Sequence, residues 1–462
     1  MAKQRTKQTS NSRKKQAVAK STKKALPSRE QTKKGENGFP IVGIGTSAGG
    51  LEALEQFFRN VPKSSGLAYV VVQHLDPTHK GMLPELLGRF TDMPVYEVKT
   101  RMQVRPNCVY VIPPNKDLSM LQSVLFPVDP DVPRGQRLPI DRIFRALAEQ
   151  HGELSAGVIL SGMGSDGALG LRAIKEKAGL ILVQDPAEAG FDGMPRSAIA
   201  TGMVDIVATA EELPARLIAA LSHTGIPPIA EKEIDEPLRG GIDKVLTLLR
   251  ARTGHDFSQY KKSSVNRRIE RRMGIHQLDK LESYARYVRE HPQELDFLFK
   301  ELLIGVTSFF RDPAAWEVVK TKVIPTLLAQ HSEGAAFRAW VPACSTGEEA
   351  YSLAMVFNEV LEESKPQAHY SLQIFATDLD PDAINKARQG AYTANIQVDV
   401  GAKRLDRFFR EEGGSYRVRS QIRDMVTFAP QDVLLDPPFT KLDIVSCRNL
   451  LIYLGPELQQ KL

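Results

Sequence analysis

Residues 40–52, Pro-Ile-Val-Gly-Ile-Gly-Thr-Ser-Ala-Gly-Gly-Leu-Glu, leave this chain few folds to choose from. The apolar run Ile41 to Ile44 reads as a buried strand and Gly45 to Gly50 as a tight turn. Leu51 to Phe58 reads as a helix, with Leu51, Leu54, Phe57 and Phe58 at helical spacing. Strand, glycine turn and helix set a side chain at the carboxyl end of a parallel sheet, and the side chain at the tip is Ser47. Two chemistries compete for this turn. Gly45-Thr46-Ser47-Ala48-Gly49 fits G-x-S-x-G, which presents a nucleophilic serine. Gly43, Gly45 and Ala48 also fit the dinucleotide fingerprint G-x-G-x-x-A. A plain glycine turn between strand and helix is the third reading. The next strand, Leu67 to Val72, ends in Gln73-His74, where a dinucleotide site needs an acid to hold the ribose. A serine with a histidine at the end of the adjacent strand suits an esterase better, because imidazole can take a hydroxyl proton near neutral pH.

The alternation continues to about residue 221. Val109 to Ile112, Ala156 to Leu160, Leu180 to Gln184 and Val204 to Val207 read as strands. His79 to Leu87, Pro139 to Leu147 and Ala168 to Lys177 read as helices. Such alternation predicts a doubly wound, mostly parallel sheet with helices on both faces. Asp166 lies in the glycine-rich loop 161–167, between a strand and a helix. It reads either as a helix N-cap or as the acid that orients His74. Strand carboxyl ends converge on one crevice in such sheets, and Ser47, His74 and Asp166 all lie at such ends.

Charge is distributed unevenly. The chain of 462 residues carries a formal net charge of +6, but residues 1–38 hold twelve Lys/Arg against two Glu, and removing that net +10 leaves the body at −4. A specific nucleic-acid partner is not needed to explain the basic character. The tail, nearly free of large apolar residues, is expected to be disordered, as solvated chain or a weak electrostatic anchor. Cys108, Cys344 and Cys447 show neither metal spacing nor a disulfide framework, which points to a reducing cytoplasm; no metal site is expected. No apolar run is long enough for membrane insertion.

Gly-Thr-Ser-Ala-Gly-Gly at 45–50, Gln73-His74, Pro113-Pro114, Ser161-Gly162-Met163-Gly164-Ser165-Asp166-Gly167 and Gln184-Asp185-Pro186 occur in one order over the whole of residues 39–221. In these the region resembles the chemotaxis protein-glutamate methylesterases (CheB). The resemblance implies Ser47 as nucleophile, His74 as general base, Asp166 as its orienting acid and the Met163 amide as an oxyanion donor. It further implies hydrolysis of glutamyl methyl esters with release of methanol. Some members also deamidate receptor glutamines. Members usually carry a phosphorylatable receiver domain ahead of the esterase, where this sequence has the basic tail, so the resemblance does not extend to control by phosphorylation of this chain.

Residues 222–241, rich in Pro, Glu and Gly, read as a linker. Residues 242–312 read as a small all-helical domain, and 313–462 as a second doubly wound domain. Arg267, Arg268, Arg271 and Arg272 crowd one short helix, either a solvated face or a docking face for an acidic partner helix. Phe337 to Ala343 is a strand running into Cys344-Ser345-Thr346-Gly347-Glu348-Glu349. A second strand, Leu372 to Thr377, ends at Asp378, and a carboxylate there can accept from both ribose hydroxyls. Asp382 reads as a helix cap.

Val306-Thr307-Ser308-Phe309-Phe310-Arg311, Ser345-Thr346-Gly347-Glu348-Glu349, Ala376-Thr377-Asp378 and Cys447-Arg448-Asn449 with Tyr453 follow in order. This half resembles the chemotaxis receptor methyltransferases (CheR). That resemblance implies S-adenosylmethionine as cofactor, contacted by Thr307, Arg311, Glu349, Asp378, Arg448 and Asn449, with Tyr453 near the transferred methyl. It implies a small β insert at about 391–428. Its partners would be methyl-accepting receptors or similar helical signalling proteins, met by the arginine helix. Gly305 stands where many members have Asn, and Asp432-Val433 where Asn-Leu is common. The sequence stops at Leu462, where the family's sheet is expected to gain two more strands. An esterase carrying an inactive, truncated transferase as a scaffold is the alternative reading. Asp436-Pro437-Pro438-Phe439 resembles the box with which amino methyltransferases grip a flipped adenine, but it precedes the strand Leu442 to Ser446 instead of following it.

Overall fold

The computed structural model describes residues 38–73, 82–130, 137–224, 236–303, 305–364 and 370–462. His74, residues 1–37 of the expected tail and residues 225–235 of the expected linker lie outside the described residues.

The strands of the first half are β1 (Ile41–Thr46), β2 (Ala68–Gln73), β3 (Val95–Glu97), β4 (Met102–Gln103), β5 (Cys108–Val111), β6 (Asp117–Leu121), β7 (Val124–Val128), β8 (Ser155–Ile159), β9 (Leu180–Gln184) and β10 (Ile206–Ala208). Among the described residues, seven make one parallel sheet in the order β10-β9-β8-β1-β2-β5-β3. Its helices are α1 (Gly50–Arg59), α2 (Met82–Leu87), α3 (Pro139–His151), α4 (Ala168–Glu176), α5 (Gly193–Ala200) and α6 (Leu213–Thr224). The central strands are apolar on both faces because both faces are covered. Tyr69 and Val71 of β2 join a core with Phe57 of α1 and Leu217 of α6. The alternate residues Ala68, Val70 and Val72 join the opposite core with Phe144 of α3, Ile174 of α4 and Met194 of α5.

The glycines of β1 have a packing role. A Cβ on Gly43 would lie 2.7 Å from Phe144, and one on Gly45 2.4 Å from Ile140, so α3 crosses the strand where no side chain fits. That close approach accounts for the fingerprint-like spacing without a dinucleotide. Gly45→Ala is expected to lower stability by about 1–3 kcal/mol, the usual effect of overpacking. Urea denaturation measures this, and an unchanged midpoint would show that α3 stands off further than it does here.

Sequence patterning misses a small antiparallel sheet, ordered β4-β7-β6. Its hairpin turns at Gln122 and Ser123, both at positive φ (49° and 59°). Tight hairpins usually signal that geometry with Asn or Gly, and neither is present.

In the second half α7 (Glu236–Thr253), α8 (Lys262–Ile275), α9 (Leu281–Glu290) and α10 (Gln293–Leu303) pack around Val245, Leu249, Ile269, Tyr284 and Leu298. Next come α11 (Pro313–Val318), α12 (Ile324–Ala329), β11 (Ala336–Pro342), α13 (Glu348–Ser364), β12 (Ser371–Asp378) and α14 (Pro381–Gln389). Three short strands, β13 (Ala391–Thr393), β14 (Phe409–Glu412) and β15 (Ser415–Val418), form an antiparallel insert. With β16 (Val426–Pro430) and β17 (Ile444–Val445) the main sheet runs β16-β12-β11-β17, all parallel. The insert thus closes before Val426, earlier than residue 428, because β16 pairs with β12. Among the described residues no helix is long and apolar enough to cross a membrane.

The arginine helix corrects the sequence reading most sharply. It is neither a solvated face nor an open docking face, because α8 packs against α6 of the first half. Arg268, Arg271 and Arg272 are 5%, 5% and 8% exposed. Arg271 pairs with Asp205, Arg268 with Glu301 at 3.0 Å, and Arg272 grips Glu294 through two bonds of 2.7 and 2.6 Å. Arg267 reaches Glu153 at 2.7 Å. Lys175 of α4 completes the cluster, 2.8 Å from Asp205 and 2.5 Å from Glu301. Asp205 and Glu153 come from the first half of the chain, so its own carboxylates occupy the face that a partner helix was expected to meet.

Candidate functional site

Ser47 follows β1 at the start of the turn into α1. Its N–H donates to Ser161 O at 3.0 Å, and its carbonyl accepts from Gly50 N at 3.0 Å. Thr46 Oγ1 also donates to Ser161 O, at 2.8 Å. The loop after β8 is therefore laced to the serine turn. Ser161 N donates to Gln184 Oε1 at 2.8 Å, which ties the same loop to the end of β9. Gly162 passes so near that a Cβ there would lie 3.0 Å from Ser47 Cβ, and Met163 is the next residue. The backbone of Gly162 thus runs beside the candidate nucleophile, held there by its own N–H, which donates to Phe191 O at 3.0 Å.

Asp166 lies in that loop and is buried. It does not cap α4, whose N-cap is Gly167 without a side-chain bond. Its two carboxylate oxygens accept from Ile140 N and Asp141 N, each at 3.0 Å, at the start of α3. Those bonds fix the carboxylate against a helix N-terminus, where negative charge is favoured. Directly behind it Asp141 accepts from Gly170 N at 2.6 Å; burial and then the Asp166 charge push its carboxyl up to about 8. His74, the proposed third member, lies outside the described residues.

The second site forms around the carboxyl ends of β11 and β12. The loop after β11 is strained, with Ala343 and Ser345 at φ 53° and 48°, and Phe310, Asp312 and Asn449 in neighbouring motifs are also left-handed. Such clustering marks a geometry that the surrounding structure holds in place. Asp378 does the holding: Oδ2 accepts from Ser345 N at 2.7 Å and Oδ1 from Asp380 N at 2.9 Å. Burial pushes its carboxyl above the ordinary range, against the pull of those N–H groups. With the Leu379 N–H also directed at it, the carboxylate keeps lone-pair capacity for a ribose hydroxyl. Asp380, not Asp382, caps α14, accepting from Asp382 N at 2.9 Å; Asp382 pairs with Lys300 instead.

Glu349 sits in the first turn of α13 and accepts from Ser446 Oγ at 2.5 Å; burial pushes its carboxyl up. Arg448 donates to Arg311 O and Asp312 Oδ2, both at 2.7 Å, with its guanidinium 5.6 Å over Trp316. Arg311 Nη1 donates to Val306 O at 3.1 Å. Tyr453 O accepts from Lys261 N at 3.0 Å, joining the end of the chain to the helical domain. Arg448 is thus bonded to the backbone of Arg311, and Glu349 to Ser446, two residues before Arg448, while Thr307 O accepts from Arg172 of α4 at 3.1 Å.

The Asp432 departure has a physical partner. Asp432 Oδ2 lies 2.6 Å from His255 Nδ1, and His255 Nε2 lies 3.0 Å from Tyr260 Oη. The carboxylate that replaces the common amide is matched by a buried histidine of the helical domain. The unusual Asp was visible in the sequence; its partner, 177 residues away, was not. Phe439, from the adenine-box resemblance, stacks on Phe375 with ring centroids 4.5 Å apart, so an internal ring already covers one of its faces.

Three family models match the chain in order: CheB methylesterase over residues 42–217, the all-alpha domain of CheR methyltransferase over 241–303, and the SAM binding domain of CheR methyltransferase over 305–462. An uncharacterized 104.1 kDa protein of Rhodobacter capsulatus is 38% identical over 82% of this chain, which spans 42% of that protein's length. A chemotaxis protein methyltransferase of Listeria monocytogenes is 32% identical over 44% of the chain and 75% of its own. The crystal structure of the Thermotoga maritima CheB methylesterase catalytic domain is 30% identical, covers 39% of this chain and 98% of its own, and superposes with a TM-score of 0.36.

Proposed function

This chain belongs, half by half, to the CheB methylesterase and CheR methyltransferase families, and from that premise we propose that it edits glutamate side chains of chemotaxis receptors in both directions. The first half removes methyl esters. The second adds them from S-adenosylmethionine, the cofactor that its matched domain binds. The setting proposed is the cytoplasm, where receptor signalling helices are reached. The observation that supports the reading is the serine turn laced to loop 161–167, which holds the backbone of Gly162 close beside Ser47.

In the esterase half Ser47 Oγ attacks the ester carbonyl and its proton passes to His74, which Asp166 orients. The Met163 amide steadies the oxyanion. Methanol leaves with a proton returned by His74, and water then releases the glutamate. A glutamine side chain offers the same carbonyl with ammonia as leaving group, which extends the proposal to deamidation. In the other half S-adenosylmethionine supplies a methyl group on a positively charged sulfur. Asp378 would hold the ribose, while Glu349, Thr307, Arg311, Arg448 and Asn449 orient the remainder. Tyr453 would lie beside the transferred methyl.

Two assays on the purified chain test this. A methylated receptor signalling fragment should release methanol, and an unmethylated one should take up label from methyl-labelled S-adenosylmethionine. Failure of either assay removes that half of the proposal. Asp378→Ala is expected to weaken S-adenosylmethionine binding at least about tenfold, since it removes a charge-assisted acceptor and unties Ser345. Calorimetry measures this, and unchanged affinity would remove the ribose contact.

A further inference from the structure

Helix α4 belongs to the esterase half, yet it faces the first cofactor motif of the transferase half. Arg172 Nη1 donates to Thr307 O at 3.1 Å. Glu176, one helical turn on, pairs with Arg311. Residues four apart share a helix face, so one side of α4 addresses both motif residues. Lys175 between them is bound to Glu301 of α10, the helix that ends just before the motif. Three consecutive contacts thus run from one esterase helix along the strand of chain that leads to Arg311. The Arg311 side chain is 19% exposed and that of Glu176 35%, so the pair is partly shielded from water.

We infer that the cofactor site is built across both halves, with Glu176 and Arg172 as positioning residues that hold Arg311 and Thr307 in place for S-adenosylmethionine. The inference rests on the proposed cofactor contacts of Thr307 and Arg311. An arginine side chain is long and loses considerable rotamer freedom when it is fixed. Glu176 and Val306 O fix Arg311 in advance, so less ordering remains when the cofactor arrives. The guanidinium has five N–H donors, and these two contacts leave others for an anionic group. Glu176 therefore supports Arg311 without consuming it.

Calorimetry with S-adenosylmethionine on the full chain tests this through a double-mutant cycle of Glu176→Gln and Arg311→Ala. Glu176→Gln is expected to weaken binding about 3–10-fold, Glu176→Asp to restore part of the loss, and Arg311→Ala to weaken it further. In the Arg311→Ala background Glu176→Gln should have no further effect. Thermal unfolding of each variant reports whether the fold is kept. Wild-type affinity in Glu176→Gln, or an equal loss in both backgrounds, overturns the inference while leaving Arg311 as a cofactor contact. Wild-type affinity in Arg311→Ala overturns that contact and the inference with it. No binding by the wild-type chain overturns both.

Discussion

Ser47→Ala protein should release methanol from glutamyl methyl esters about 10⁴–10⁶-fold more slowly than the wild-type chain. The substitution removes the Oγ that forms the acyl-enzyme and leaves the turn intact. The serine's structural bonds are made by its backbone, to Ser161 O and from Gly50 N, and alanine keeps both. Stability should therefore stay within about 0.5 kcal/mol of wild type, and S-adenosylmethionine affinity should not change. A variant that folds, binds cofactor and still releases methanol at the wild-type rate would place the nucleophile elsewhere. A variant that loses all three properties would show that Ser47 serves the fold, not the reaction.

The second large effect concerns the junction of the halves. Glu301 is 5% exposed, with Lys175, Arg268 and Arg271 around it. Burial alone would push its carboxyl up, but Arg271, Lys175 and Arg268 hold it well below its ordinary 4.5. Glu301→Ala leaves buried cations short of a counter-charge, and the expected loss of stability is about 3–5 kcal/mol. The pH dependence has a definite sign. A depressed folded pKa contributes stability above the unfolded value, and that contribution is lost as pH falls through the folded one. Urea midpoints of wild type and variant should therefore converge as the solution is acidified below pH 4.5. A constant gap down to strong acid would mean that Glu301 acts through packing and not charge.

How much of this was legible in the sequence depended on distance along the chain. The β1 turn, the placing of Ser47 at its tip and the end-of-strand position of Asp378 follow from local pattern, and the structure has them. What Asp166 does was half legible. A helix-capping acid was read, but it caps α3, whose N-terminus lies 26 residues back, and not the helix it precedes. Gly43 and Gly45 matched a nucleotide fingerprint because any strand crossed closely by a helix needs the same small residues. Only the position of Phe144 and Ile140 separates the two causes. The four arginines of α8 announced charge, but Asp205 is 66 residues from Arg271, and no local pattern says which carboxylate will arrive. The hairpin at Gln122-Ser123 was invisible because its two left-handed positions carry neither the Asn nor the Gly that usually marks such a turn.

The polar character of the junction has a consequence for the cell. Buried charge pairs give register more readily than net affinity, but a shared polypeptide keeps each half at a millimolar-scale effective concentration of the other. A specific interface of modest strength is then enough. Under the proposed activities, writer and eraser are also made in a fixed ratio of one to one. Gene dosage and expression level cannot tilt the balance between them. The steady level of modification must be set by relative turnover at the two sites, and so by whatever changes substrate access or cofactor supply to one of them.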